Sequence, residues 1–236
     1  MSVKELIQQW DIANGLSLTE TEAKELLREA GISVAEVVLA HSAEDAAAAS
    51  ASVGFPVVLK VASRPRIQHP LAGVASQPLS SEAEVKRAYE EVISNARRWD
   101  PSAAIEGVTV QRVMRPGVEL RILLEQHPLF GATVSFGYGR MAMEIWEDVS
   151  YRIVPLTAKD ARLMIREPKG CRLLQGYGAL EVPDVSLIEQ ALMKVSELAL
   201  DVPEIQVMEL DPVYAYRDSL VILDARVELQ HQSNTQ

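Results

Sequence analysis

Gln206-Val207-Met208-Glu209-Leu210-Asp211-Pro212 and, a little further on, Leu220-Val221-Ile222-Leu223-Asp224-Ala225-Arg226-Val227 are the stretches whose reading decides the fold. Gln206 to Glu209 and Leu220 to Val227 read as the last two strands of the chain, each carrying acid. Asp224 lies thirteen residues after Asp211. An acid on each of two adjacent strands can hold a divalent metal between them, because Mg²⁺ takes oxygen ligands and needs few from the protein. Far upstream, Lys60 ends another apolar run, Pro56-Val57-Val58-Leu59. A lysine at the edge of a third strand can meet a phosphate through charge-assisted hydrogen bonds. Together these parts point to a nucleoside triphosphate with its Mg²⁺.

The composition agrees with a packed protein that handles small molecules. The chain has 236 residues, 48% apolar and 24% charged, enough for one large domain or two small lobes. No run approaches the ~20 apolar residues that span a bilayer, and Met1-Ser2-Val3-Lys4-Glu5 does not read as a secretory signal. The single Cys171 excludes an internal disulfide framework and a multi-cysteine metal site. A cytoplasmic location is the expectation. The net charge of −10 argues against nonspecific nucleic-acid or membrane binding, which needs basic patches.

Between these landmarks, helices and strands alternate at first. Leu18 to Ala30 reads as a helix with Thr19 as N-cap and Glu22 as its box partner. Ile32 to Ala40 reads as a strand, Ser42 caps an alanine-rich helix ending near Val53, and Val57 to Val61 is the next strand. Ala62 to Pro78 has neither period and reads as loop. Ser81 to Arg98 is a helix, Ile105 to Met114 a strand, and Arg115-Pro116-Gly117 a turn and candidate hinge. A run of strands follows, Val118 to Glu125 and Ala132 to Phe136, then helices Thr157 to Glu167 and Val185 to Ala199. That order predicts a two-lobed α/β or α+β protein.

Several segments in order then carry a resemblance. They are Gly54-Phe55-Pro56-Val57-Val58-Leu59-Lys60, Val110-Gln111 before Pro116-Gly117-Val118-Glu119, Phe136-Gly137-Tyr138-Gly139, Asp148-Val149-Ser150-Tyr151-Arg152, Pro155-Leu156-Thr157, and the Glu-x-Asp-Pro and Asp-Ala-Arg endings. From about Leu18 to Val227 the chain resembles the ATP-grasp module of the ADP-forming acyl-CoA synthetases, such as acetate–CoA ligase, and more distantly the succinyl-CoA synthetase β subunit. The resemblance implies an ATP-grasp fold with a nucleotide cleft between two lobes. Residues 1–35 and 116–229 would form the large lobe with the metal site. Residues 36–115 would form the small lobe with the phosphate lysine and a mobile loop, and residues 230–236 a disordered tail. It implies a reaction in which a phosphoryl group passes between a histidine and ADP or ATP with Mg²⁺, while a CoA-binding α subunit interconverts acid and acyl-CoA. A hetero-oligomer follows.

Residue by residue, Lys60 matches the lysine that touches the phosphates, with a surface lysine at a strand end as the alternative. Asp211 and Asp224 match the metal positions, Glu209 supports them, and turn-capping is the other reading. Val110, Gln111, Arg112, Val113 and Met114 match the strand whose backbone reads adenine, and Glu119 matches a glutamate near the ribose. His69 matches the relay histidine of the mobile loop. Here that loop reads Ile67-Gln68-His69-Pro70-Leu71-Ala72-Gly73-Val74, without the lysine, serine and aspartate of the pattern. Arg112 also departs from a usual glutamate. These departures leave a second function open: a catalytically degraded nucleotide-binding or regulatory domain, such as part of a fused protein acetyltransferase-like protein. The acyl group, and ATP against GTP, are not legible.

Overall fold

A computed structural model describes residues 3–10, 16–64, 73–139, 143, 145, 147–176 and 181–230. The chain divides into two compact units. One comprises Ser17–Glu22 and Ala35–Arg115; the other comprises Met1–Leu16, Ala23–Val34 and Pro116–Gln236.

The smaller unit is a three-stranded antiparallel sheet covered on one face by two helices. Its strands run in the order β2 (Val38–Ala40), β4 (Ala104–Arg112), β3 (Val57–Arg64). Alternate residues of β3, Val57, Leu59 and Val61, are buried against α3 (Ala43–Val53) and α4 (Glu82–Trp99). α4 buries Val85, Ala88, Tyr89, Val92, Ile93 and Ala96, the stripe a 3.6-residue period dictates. Each fully buried Val or Leu of this kind contributes roughly 1.5–3 kcal/mol. Both helices start where capping chemistry places them: the Ser42 and Ser81 hydroxyls accept from the Asp45 and Glu84 amides. Gly107 on β4 has φ +146, and a Cβ there would stand 2.2 Å from the Ala40 carbonyl oxygen, so only glycine lets the β2 end approach.

The larger unit is built on a seven-stranded sheet. Its main path is β1 (Leu16–Ser17), β10 (Ala225–Leu229), β8 (Ile205–Ala215), β5 (Val118–His127), β6 (Gly131–Gly137), β7 (Val149–Ile153), with β9 (Leu220–Ile222) also on β8. Two helices pack on this sheet, α5 (Ala158–Arg166) on β6 and β7, and α6 (Val185–Asp201) on β5 and β8. α5 opens on a capping box between Thr157 and Asp160. Two further helices complete the described elements: α1 (Val3–Ile7), and α2 (Glu20–Glu29), whose Thr19–Glu22 box forms as its sequence dictates. Among the described residues no helix is long and apolar enough to cross a membrane.

Three expectations change. The apolar run Ile32 to Ala40 is not one strand: Val34 bridges Ile222, and only Val38–Ala40 pair with β4. Gln206–Glu209 is the start of an eleven-residue strand that passes through Pro212. Leu220–Val227 is two strands separated at Leu223-Asp224. The course of β8 through Pro212 has a visible cause. β5 pairs Leu120 with Val213 and then Ile122 with Leu210, so β8 carries one extra residue opposite Arg121. A proline has no N–H to give a ladder and is tolerated at such a bulge.

Candidate functional site

On the smaller unit the face of the sheet away from α3 and α4 is polar. The β3–β4 register sets Val58 opposite Gln111, Lys60 opposite Thr109 and Ala62 opposite Gly107. Lys60 therefore points off the apolar face, as its place in an alternating strand requires. Its Nζ lies 3.2 Å from Glu20 Oε1, and the Thr109 hydroxyl donates to Glu20 Oε2 at 2.9 Å. The Glu20 side chain is 5% exposed and that of Lys60 25%. Four residues on, Arg64 makes the same kind of pair: its Nη2 lies 2.6 and 2.7 Å from the two Glu22 oxygens, and its Nη1 donates to Ser17 O. Two cations thus line one face, each engaged by an acid from the first turn of α2.

The segment expected to read adenine divides. Val110 sits in the middle of the ladder between Val38 and Leu59, fully buried in the core under α3 and α4. Its side chain packs into that core and its backbone is laddered on both sides. Gln111 is buried on the polar face, Arg112 is the exposed last residue of β4, and Val113 and Met114 lie beyond it. The Val113 N–H donates to the Pro56 carbonyl at 2.8 Å. His69 lies outside the described residues.

On the larger unit the sheet face away from α6 carries the other residues. The β-ladders set Glu119 opposite Tyr214, Leu123 opposite Glu209, and Arg226 opposite Glu209 from the other side. The β8–β10 register ends at Ala225 opposite Leu210. One residue further, the Asp211 N–H donates to the Asp224 carbonyl at 3.1 Å, and the Leu223 N–H donates to Pro212 O at 2.9 Å. Those two hydrogen bonds carry the register on from β10 to β9, where Val213 pairs with Ile222, and set Asp211 across from Asp224.

Cations attend the acids. Arg121 Nη2 lies 2.5 Å from Glu209 Oε1 and its Nε 3.6 Å from Asp211 Oδ2; Arg226 Nη1 is 3.9 Å from Glu209 Oε2. Among the described residues no three histidine, cysteine or acidic side chains form a metal-holding group. The donor set suits a hard, oxygen-preferring ion that completes its shell with phosphate oxygens; it does not suit a self-sufficient metal centre. Nearby, Gly139 has φ +67, and a Cβ there would stand 3.6 Å from Glu119 Oε1. Burial, and then the Glu119 carboxylate, raise the Tyr214 phenol above its ordinary range.

The remaining motif residues are structural. Asp148 accepts from the Lys169 and Gly170 amides, capping the short 3-10 helix Lys169–Gln175. Arg152 binds Glu167, which raises the guanidinium's pKa further. Glu20, Thr109 and Arg121 carried no local signal. Glu20 and Arg121 find their partners forty and eighty-eight residues away.

Residues 12–229 match the ATP-grasp domain family. The β subunit of ADP-forming acetate–CoA ligase I of Pyrococcus furiosus is 36% identical over 217 residues, 92% of this chain and 94% of that one. Among solved structures, acetyl-coenzyme A synthetase 1 of Candidatus Korarchaeum cryptofilum in complex with coenzyme A and Ca-AMPCP is 42% identical, with a TM-score of 0.87 over 91% of this chain and 93% of that one. The same synthetase with coenzyme A and Mg-AMPPCP, its phosphohistidine segment pointing towards the nucleotide binding site, is 37% identical with a TM-score of 0.82 over 97% and 100%.

Proposed function

The chain belongs to the ATP-grasp family, and from that premise we propose that it is the ATP-grasp subunit of an ADP-forming acid–CoA ligase. In this reading a phosphoryl group passes between a histidine and ADP or ATP with Mg²⁺, and a CoA-binding partner chain interconverts acid and acyl-CoA. The observation that carries it is the pair Asp211 and Asp224, set across from each other where the β8–β10 register runs on past Ala225. The relatives' nucleotide and metal complexes support it. We place its work in the cytoplasm, with the single Cys171 as support.

The roles follow from charge and position. Phosphoryl transfer leaves a protein little covalent work, so positioning and charge neutralisation carry most of the rate. Lys60 takes the phosphates, with its ammonium held ready by Glu20. Glu119, beside Gly139, accepts from the ribose hydroxyls. Gln111 to Met114 receive the base. Asp211 and Asp224 hold the divalent ion, which when bound neutralises phosphate charge. Glu209 supports them through Arg121. His69 relays the phosphoryl group.

The test is phosphoprotein formation. The protein with its CoA-binding partner, given labelled ATP and Mg²⁺, is expected to carry an acid-labile, base-stable phosphate. His69→Asn is expected to abolish that label and turnover while nucleotide binding persists. Turnover retained in His69→Asn would contradict the relay.

A further inference from the structure

The reading above gives Asp211 and Asp224 a divalent ion, and the inference rests on it; its subject is the cation already beside them. Arg121 stands on β5 opposite the extra residue of β8. Its guanidinium reaches Glu209 at 2.5 Å and lies 3.6 Å from Asp211. The Asp211 side chain is 3% exposed and that of Arg121 16%. A carboxylate so far from water is costly to leave without positive charge close by. A guanidinium is always charged, and its planar fork lets one side chain serve two acids. Arg226 approaches Glu209 from the next strand.

Glu209 and Asp211 share Arg121, and Arg226 is divided between Glu209 and Glu228, so part of the acids' charge is already answered from within the protein. That leaves a weak lure for an ion that sheds its water reluctantly. Phosphate oxygens supply what the protein groups lack.

We infer that Arg121 is a positioning residue that stands in for the divalent ion at Asp211. It aims Asp211, keeps Glu209 engaged, and competes with the incoming ion. Metal therefore enters with phosphate and not ahead of it.

Mn²⁺ titrated into the nucleotide-free protein, with free ion counted by electron paramagnetic resonance, reads this competition without any turnover. The wild type is expected to take up Mn²⁺ weakly. Arg121→Met is expected to bind it about tenfold more tightly or better, because a unit positive charge a few ångströms from the carboxylate has gone. Asp211→Asn added to Arg121→Met is expected to cancel the gain. Equal Mn²⁺ affinity in Arg121→Met and wild type overturns the inference. Where Arg121→Met fails to fold, the Arg121→Met/Asp211→Asn double variant is expected to recover the fold, since the acid left without its cation is gone. A double variant as unstable as the single one overturns the inference as well. The two failures are separable. Mg·ADP binding that survives both Asp211→Asn and Asp224→Asn refutes the metal reading itself; binding lost in those variants, with Arg121→Met unchanged, refutes only the role of Arg121.

Discussion

On the three-stranded sheet the side chain proposed to meet phosphate is a cation, and an acid holds it. On the seven-stranded sheet the side chains proposed to meet metal are acids, and a cation holds one of them. Lys60 leans on Glu20, whereas Asp211 has Arg121 beside it. The burial also differs. Lys60 keeps a quarter of its side chain exposed, while Asp211 is almost fully enclosed. On both sheets the enclosed partner is an acid, Glu20 or Asp211, and a buried charge is costly to leave alone. The comparison teaches that the two faces are prepared in opposite senses: one presents a part-exposed cation backed by an enclosed acid, the other encloses the acid itself beside its cation.

The largest effect expected is on the acid face. Asp224→Asn and Asp211→Asn should each lower Mg²⁺-dependent phosphoryl transfer by about 10²-fold or more, since several kcal/mol of charge stabilisation depends on the ion they hold. Glu209→Gln should cost less than either, because Glu209 meets Arg121. Steady-state turnover at saturating nucleotide separates the three, and equal losses would break the distinction drawn between Glu209 and the aspartates.

On the cation face, Lys60→Ala should weaken ADP binding by about ten- to a hundredfold, the loss of one charge-assisted hydrogen bond of roughly 1.5–3 kcal/mol. Calorimetric titration measures it, and an unchanged affinity would remove Lys60 from the site. Glu20→Ala is smaller again. It should cost about 1–2 kcal/mol in urea unfolding, because the Thr109 hydroxyl loses its acceptor, while leaving ADP affinity within about threefold. A collapse of ADP binding in Glu20→Ala would mean that Glu20 does more than hold the lysine.

The smallest effect is a titration. Burial first and Glu119 second raise the Tyr214 phenol above its ordinary 10.0. The folded protein thus favours the neutral phenol. That contribution to stability is fully present below the unfolded value and is lost as pH rises through the raised folded one. Glu119→Gln should bring the Tyr214 transition down without returning it to the ordinary value, as seen by ultraviolet difference absorbance. No movement would place Glu119 away from Tyr214.

Much of this could be read from the chain, for reasons the structure makes plain. Helix starts were legible because Thr19, Ser42, Ser81 and Thr157 bond amides within three residues of themselves. The strand Val118–His127 was legible because one face is buried and the residues alternate, and Gly131–Gly137 because polar and apolar residues alternate from Thr133 to Phe136, although both faces are buried from Val134 on. The strand Val149–Ile153 was not, because it is the last of the sheet and exposes Tyr151 and Ile153, which inverts the usual pattern. Pro212 was read as a strand end, since a proline cannot complete a ladder; the sheet absorbs it with one extra residue. The acids were identified as a pair by their strands alone, but their relation to Arg121 was hidden, because a bulge shows only once two strands are in register. The burial of Val110 under α3 and α4 was hidden for a similar reason, because distant segments decide it.

The claim at the centre is that Asp211 and Asp224 make a place for a metal–nucleotide. The most direct measurement is a calorimetric titration of Mg·ADP into the wild type and into the Asp211→Asn/Asp224→Asn double variant, with circular dichroism confirming that both are folded. The expected result is one saturable site in the wild type and none in the folded variant; the same affinity in both would contradict the account.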